Sequence, residues 1–310
     1  MSGALSAYQP LFDHAVLNVL FALSQFVVLR AGVFSIATAG LASIGAYAAA
    51  ILAMRLGLPP AAGLLAGTLA GCAGGLVLAL PLARLRGIYQ AIATLAFVQI
   101  VISLALYAES LTGGALGLNS IPKAVGSWHL LAALVLVVWL LCVLSANSVG
   151  RAFDAVRQDE TVAISLGVSV PRYHTLAFAL SGAIAGLGGG LYAFNSYSLV
   201  PTQFGFSMLV AALAAVVLGG RRSVAGPVVG AVFLTLLPEF GRVFASQHDL
   251  VHGALLILVI LYMPEGIVDT LRMRLAGRRA GRLPAPRRPS PAGGRGEVRP
   301  SPAGGKEVRP

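Results

Sequence analysis

Long apolar stretches dominate the chain from residue 11 to residue 268, and charged residues are almost absent within them. A hydrocarbon core about 30 Å thick requires roughly 20 apolar residues at the rise of an α-helix. About nine of the stretches approach that length, which predicts an all-α polytopic membrane protein with about eight to ten transmembrane helices. The predicted spans are 12–30, 33–54, 60–82, 88–108, 128–146, 176–195, 205–220, 224–241 and 250–268.

Two local patterns predict how these helices pack. Arg30, Ala31 and Gly32 leave almost no loop between the first two spans, so a broken or re-entrant helix is an alternative there. Elsewhere, glycines recur every four residues, which places them on one helix face and favours close packing in lipid. These glycines are Gly63, Gly67, Gly71 and Gly75 in one span and Gly182, Gly186 and Gly190 in another.

Composition excludes an ordinary soluble domain and places most of the net charge in a tail. Hydrophobic residues make up 57% of the chain and charged residues only 11%, against about a quarter charged in soluble domains. Residues 272–310 carry eleven basic and two acidic side chains, and most of the +11 net charge is there. We therefore expect a transmembrane domain at 1–271, containing a long loop at 147–175, and a disordered basic tail at 272–310 without a nucleic-acid partner.

The arginines predict the orientation of the chain in the membrane. If the spans alternate, the loops with Arg84 and Arg86, with Arg151 and Arg172, and with Arg221 all lie on one side, together with the tail. The positive-inside rule makes that side cytoplasmic. An odd number of spans then places the N-terminus outside and the C-terminus in the cytoplasm.

The polar side chains within the spans are mostly neutral. Thr94, Gln99 and Asn195 are candidates for a translocation path for a small zwitterion, although each also fits an ordinary interhelical hydrogen bond. An ion-coupled secondary transporter would more often place a carboxylate at mid-depth. We predict no catalytic residue, metal site or cofactor, because the histidines are scattered and no GxxxxGK[ST] loop occurs. Any ATP chemistry must then come from a partner.

The loop at 147–175 has helical composition. One side of a single helix would be apolar, formed by Ala152, Val156, Ala163 and Leu166. Asp159 and Glu160 fall toward that side, which fits either a basic protein groove or a break into two short helices near Thr161. Gly167 and Pro171 provide a stop signal. A surface helix that merely covers the ends of the spans is the alternative.

Four motifs follow one another along the chain: RLRGIYQAIATL at 84–95, LTGGALGL at 111–118, GRAFDAVRQDE at 150–160 with Gly167, and VLGG at 217–220 followed by GPVVGA at 226–231. Together they resemble the LivM-type permeases of bacterial branched-chain amino acid ABC transporters, from about residue 14 to residue 268. The chain departs from that family at Ala37 and Thr38, where Gly-His is frequent, and at Arg222, where glycine is usual.

The resemblance implies an inner-membrane subunit that is not itself an enzyme. Such a permease pairs with a second, LivH-type permease, sits on two ABC ATPase subunits and receives its amino-acid substrate from a periplasmic binding protein. The family's coupling helix corresponds to the 150–160 motif, so Arg157, Asp159 and Glu160 are expected to contact the ATPase and Gly167 to orient the helix. Loop 111–118 becomes a candidate surface for the binding protein. Urea, short amides and aromatic acids are alternative substrates within the same family.

Overall fold

The computed structural model describes residues 2–83, 85–241 and 268, with side chains from residue 8 to residue 237 apart from residue 84, and that of residue 268. This part of the chain is helical and contains no strand, which confirms the predicted all-α class. The α-helices are α1 Ser2–Arg30, α2 Thr38–Leu56, α3 Pro60–Leu82, α4 Ile88–Tyr107, α5 Glu109–Thr112, α6 Ser127–Ala146, α7 Ser148–Gln158, α8 Glu160–Ser165, α9 Val170–Ser196, α10 Phe206–Gly219 and α11 Ala225–Gly241. Two short 3-10 helices lie at Gly114–Leu116 and Pro201–Phe204.

Within the described residues, seven segments are long and apolar enough to cross a membrane, and Ala225–Leu237 is a shorter apolar helix. These eight elements correspond in order to the first eight predicted spans, and the chain is a multi-pass membrane protein. The predicted span at 250–268 and the basic tail at 272–310 lie outside the described residues, apart from Val268 itself.

The sixth span differs from its prediction at the N-terminal end. We predicted a start at residue 176, but α9 begins at Val170, with Pro171 in its first turn. Proline ends a preceding helix, yet it also fits the first turn of a new one, because the N–H that it lacks has no partner there. Pro171 therefore acts as a start signal for α9 as well as a stop signal for the segment before it.

Close backbone contacts hold α2, α3 and α9 together at the centre of the bundle. A Cβ atom added at Gly71 would lie less than 3.0 Å from the carbonyl oxygen of Gly182, and one at Gly186 would be as close to the Gly67 oxygen. Gly189 of α9 is similarly packed against Ala42 of α2. The predicted role of the glycine series in helix packing is confirmed, since only glycine permits such an approach.

α1 packs against α9, α11, α6 and α10, so it lies on the side of α9 away from α3. Its core-facing side chains are almost fully buried, among them Leu20, Leu23 and Phe26. This arrangement brings the C-terminal end of α1 against the helices that follow α6, where the candidate site is found.

Candidate functional site

The loop at 147–175, called the 147–175 segment from here on, folds into two short helices. α7 ends at Gln158 and α8 begins at Glu160. Asp159 between them is extended, and its Oδ1 accepts hydrogen bonds from the backbone N–H groups of Thr161 at 2.8 Å and Val162 at 3.2 Å. The break that we considered near Thr161 therefore occurs at Asp159, which caps α8.

The apolar side of the 147–175 segment only partly matches the prediction. Ala152, Val156 and Ala163 are buried, and Val156 and Ala163 pack with Val170 at the start of α9. Leu166, however, is 72% exposed. α8 ends at Ser165, so Leu166 lies at its C-terminal cap and does not continue the apolar side on which Ala163 is buried.

An outward apolar surface on α8 is the feature that the sequence pattern missed. Val162, Ile164 and Leu166 are exposed by more than half of their surface, beyond the end of the bundle. Exposed apolar side chains in such a group are typical of protein or membrane contacts.

The four predicted docking residues occupy different environments. Asp159 and Gly167 are exposed, and Gly167 has a φ of +81°, a conformation that favours glycine and turns the chain after α8. Glu160 lies 3.8 Å from exposed Arg86 of the α3–α4 loop. Arg157 faces inward, with its Nη2 atom 3.9 Å from Asp154 Oδ1.

Arg30, the last residue of α1, is buried against the 147–175 segment. Its Nη2 lies 3.0 Å from Asp154 Oδ2 and its Nε lies 3.3 Å from Oδ1, which makes a two-pronged ion pair. Nη1 donates to the Ser145 hydroxyl, and the ring centroid of Phe26 lies 5.9 Å from the guanidinium carbon. The sequence did not indicate this pair, because an arginine at the end of a span usually extends into solvent.

Residues 31–37, called the α1–α2 break from here on, alternate between buried positions, among them Ala31, Val33 and Ser35, and the exposed positions Gly32 and Phe34. Gln25 Nε2 donates to the carbonyl oxygen of Ser35, and the Thr38 hydroxyl donates to Gln25 Oε1 at 2.6 Å. Gln25 precedes Arg30 by five residues in α1. The chain after Arg30 therefore turns back along α1 by about 7 Å. Two separate helices are present, and the buried start of α2 follows a partly buried, non-helical connection, as in a re-entrant break.

The three predicted path residues are not in equivalent positions. Thr94 is fully buried, donates to backbone carbonyl groups of α4 and accepts from the Ile36 N–H at 3.1 Å, so it anchors the α1–α2 break. Gln99 lies on the outer surface of α4, and Asn195 is half-buried near the end of α9. Only Gln99 is open to a neighbouring molecule over much of its surface.

The outward face of α4 differs from those of the neighbouring helices. In the middle of α3 and α6 the exposed side chains are apolar, for example Leu69 on α3 and Leu136 and Trp139 on α6. In the middle of α4, by contrast, Gln99 and Ser103 are exposed one turn apart, beside the exposed apolar side chains of Ile100 and Leu104. A hydrogen-bonding side chain in lipid is costly, so this pattern indicates that a protein or water-filled path covers α4.

A cavity of about 560 Å³ lies between α1, α10 and α11. Asn18 and Thr235 are joined across it by a hydrogen bond of 3.0 Å. The wall combines neutral polar with apolar side chains, among them His14, Asn18, Gln203, Ser207, Thr235, Leu17, Phe21, Phe204 and Met208.

One carboxylate within the first span departs from the neutral pattern. Asp13 is 8% exposed, and its Oδ1 has no hydrogen-bond partner in the described part of the chain. It lies near the start of the apolar segment Tyr8–Arg30, not at its middle. Asp13 is thus an exception to the neutral spans that the sequence indicated, and no sequence pattern singled it out.

Comparisons with known proteins agree with this architecture. Residues 12–260 match the family described as branched-chain amino acid transport system / permease component. The chain is 34% identical over 298 residues to the high-affinity branched-chain amino acid transport system permease protein LivM of Escherichia coli (strain K12), covering 84% of this chain and 67% of that protein.

Shorter similarities connect the chain to a second kind of permease. It is 32% identical over 143 residues to the permease protein LivH of the same system in E. coli (strain K12), covering 43% of this chain and 46% of LivH. The permease protein BraD of Pseudomonas aeruginosa is 33% identical over 127 residues, covering 40% of this chain and 41% of BraD. No solved structure gave a significant match. Because the family match spans most of its length, the chain belongs to the permease component family of branched-chain amino acid transport systems.

Proposed function

We propose that this chain is the LivM-type permease subunit of an ATP-driven importer for branched-chain amino acids in a bacterial inner membrane. The observation that carries the proposal is the 34% identity to LivM over 84% of the chain. The bundle of apolar helices supports a role in moving a solute across the membrane, while ATP would be hydrolysed by separate ATPase subunits. ATP would bind the outward-open and inward-open states of the complex with different affinities. ATP binding would therefore shift the complex from one state toward the other.

The ATPase would contact the outer surface of the 147–175 segment. α8 presents Val162, Ile164 and Leu166 outward, and the exposed residues Asp159 and Gly167 flank them. We assign the apolar part of that contact to α8. Arg157 and Glu160 would contribute less directly, because each already lies near an opposite charge within the chain.

A second permease of the same family would cover the outward face of α4. One E. coli transport system has two permease proteins by name, LivM and LivH, and both resemble this chain. Gln99 and Ser103 offer hydrogen bonds in a part of α4 where lipid offers none, and exposed Ala96 permits a neighbouring helix to approach closely. Gln99 would then lie at or beside the path between the two permeases, whereas Thr94 and Asn195 would line it only after a conformational change.

The periplasmic binding protein would deliver substrate near loop 111–118. This loop contains the C-terminal end of α5 and a 3-10 turn. It is joined to the 197–205 loop by reciprocal backbone hydrogen bonds between Leu118 and Leu199 of 3.0 and 2.8 Å. Leu116 at its tip is exposed. An ordered loop with an exposed apolar side chain is suited to docking a partner.

Uptake by the reconstituted complex tests the proposal. The two permeases, the ATPases and the loaded binding protein would be placed in proteoliposomes, and labelled leucine uptake would be measured with ATP and with ADP. We expect uptake only with ATP, inhibited by valine and isoleucine but not by urea or benzoate. Uptake driven by a proton or sodium gradient without ATP would instead support a secondary transporter, and competition by urea or benzoate would reassign the substrate.

A further inference from the structure

The ion pair between buried Arg30 and partly exposed Asp154 connects the 147–175 segment with the α1–α2 break. Arg30 belongs to α1, while Asp154 belongs to α7, on the part of the chain assigned to the ATPase contact. The Arg30 side chain is only 9% exposed. A buried charge that loses its partner is strongly destabilising, so α7 cannot easily move away from Arg30.

A second contact between the same elements involves backbone atoms. Gly32 has a φ of +85°, and a Cβ atom added there would lie 3.1 Å from Arg157 Cα. The α1–α2 break therefore touches the backbone of α7 just beyond the Arg30–Asp154 ion pair. Two adjacent contacts of different kind restrict both the distance and the angle between α7 and the break.

The α1–α2 break is in turn bonded to two helices inside the bundle. The Gln25 side chain of α1 donates a hydrogen bond to the Ser35 carbonyl group and accepts one from the Thr38 hydroxyl. The Thr94 hydroxyl of α4 accepts a hydrogen bond from the Ile36 N–H. A displacement of residues 31–37 would have to move the start of α2 or exchange these hydrogen bonds. Contiguous hydrogen-bonded and packed groups of this kind are able to carry coupling between distant sites.

From this arrangement we propose that Arg30 is a positioning residue for transport. It fixes the α1–α2 break to α7, so that movement of α7 by the ATPase displaces residues 31–37 and the N-terminal end of α2. This inference rests on the proposed function, because it assumes that the ATPase contacts the 147–175 segment. Arg30 itself would touch neither ATP nor the transported solute.

The test separates the stabilising from the connecting role of the pair. Asp154→Asn alone leaves the buried Arg30 charge without its carboxylate partner, so this variant should assemble poorly. Arg30→Gln alone leaves Asp154, whose side chain is 37% exposed and lies 3.9 Å from Arg157, so this variant should assemble better. The double variant Arg30→Gln/Asp154→Asn leaves neither charge and should recover assembly, but it lacks the ion pair. We expect its uptake of leucine per ATP hydrolysed to fall by roughly tenfold relative to the unchanged complex.

Arg55→Gln is the matched control. Arg55 is also near the end of an apolar helix, but it is exposed and donates to the backbone carbonyl of Ser110. Its replacement should leave uptake and hydrolysis unchanged. ATP hydrolysis, uptake and the yield of purified complex are measured for every variant in the same proteoliposomes.

The outcomes distinguish this inference from the proposed function. An assembled double variant with the uptake per ATP of the unchanged complex would overturn the role of Arg30 and leave the importer assignment intact. A parallel fall of uptake and hydrolysis in proportion to the yield of complex would also overturn it, since the pair would then only stabilise the fold. Absence of ATP-dependent leucine uptake in the unchanged complex would contradict the proposed function itself.

Discussion

Asp159 has two roles available to it, and they predict different mutant behaviour. Its carboxylate caps α8 by accepting hydrogen bonds from Thr161 and Val162. Asparagine caps a helix about as well as aspartate, whereas alanine loses roughly 1 kcal/mol of helix stability. We expect Asp159→Asn to retain the ATPase and Asp159→Ala to bind it more weakly. Copurification of the ATPase with the permease pair, at several salt concentrations, measures the difference.

Equal loss of ATPase binding in Asp159→Asn and Asp159→Ala would show that the negative charge itself contacts the ATPase, as the sequence resemblance implied. Equal retention would show that α8 forms without its cap. The assignment of Asp159 as a docking contact stays a prediction until these variants are compared.

At the residue scale, the sequence indicated which residues are chemically unusual but not which ones meet. Asp154 lies within the 150–160 motif and Arg30 at the end of a predicted span, yet nothing in the sequence pattern joined these two residues, which are 124 positions apart. Likewise, Thr94 was chosen for its hydroxyl, which in the structure supports the backbone of Ile36. Pairing at long separation depends on how helices pack, and a pattern along one helix does not contain that information.

At the scale of helices, the polar face of α4 predicts where the second permease lies. After Cys72 and Cys142 are replaced by serine, a cysteine in place of Ser103 should form a crosslink with the partner permease. Leu136→Cys is the control, because it is exposed in the middle of α6 on a face of apolar side chains. It should instead remain free and react with a lipid-soluble maleimide. Crosslinking from both positions, or from Leu136→Cys alone, would place the interface elsewhere.

Helices themselves were predicted most accurately where their pattern depends only on local sequence. The glycine series predicted that α3 and α9 each pack closely against a neighbouring helix, because a spacing of four residues defines one helix face without reference to the rest of the chain. The direction of Leu166 was wrong because α8 ends at Ser165, so Leu166 lies at the C-terminal cap, just before the turn at Gly167, and not within the helix. The direction of a side chain can therefore be predicted from a helical pattern only up to the residue where the helix is interrupted.

At the scale of the whole molecule, ion pairs and loop contacts divide the bundle into two ends. Arg86 lies 3.8 Å from Glu160, and Arg30 binds Asp154, so the α3–α4 loop, the end of α1 and the 147–175 segment share one end. Leu118 and Leu199 join two other loops, which alternation of the spans places at the opposite end. The arginine-rich end is the one that the positive-inside rule assigns to the cytoplasm.

Labelling of single cysteines in intact cells tests this orientation. In the chain without Cys72 and Cys142, Asn119→Cys reports on the end with Leu118, and Ser165→Cys reports on the end with Glu160; both positions are exposed. If the 147–175 segment faces the cytoplasm, a membrane-impermeant maleimide should label Asn119→Cys once the outer membrane is opened. Ser165→Cys should react only after the inner membrane is also permeabilised. The reverse order would place α8 outside, out of reach of an ATPase, and would contradict both the docking surface and the role proposed for Arg30.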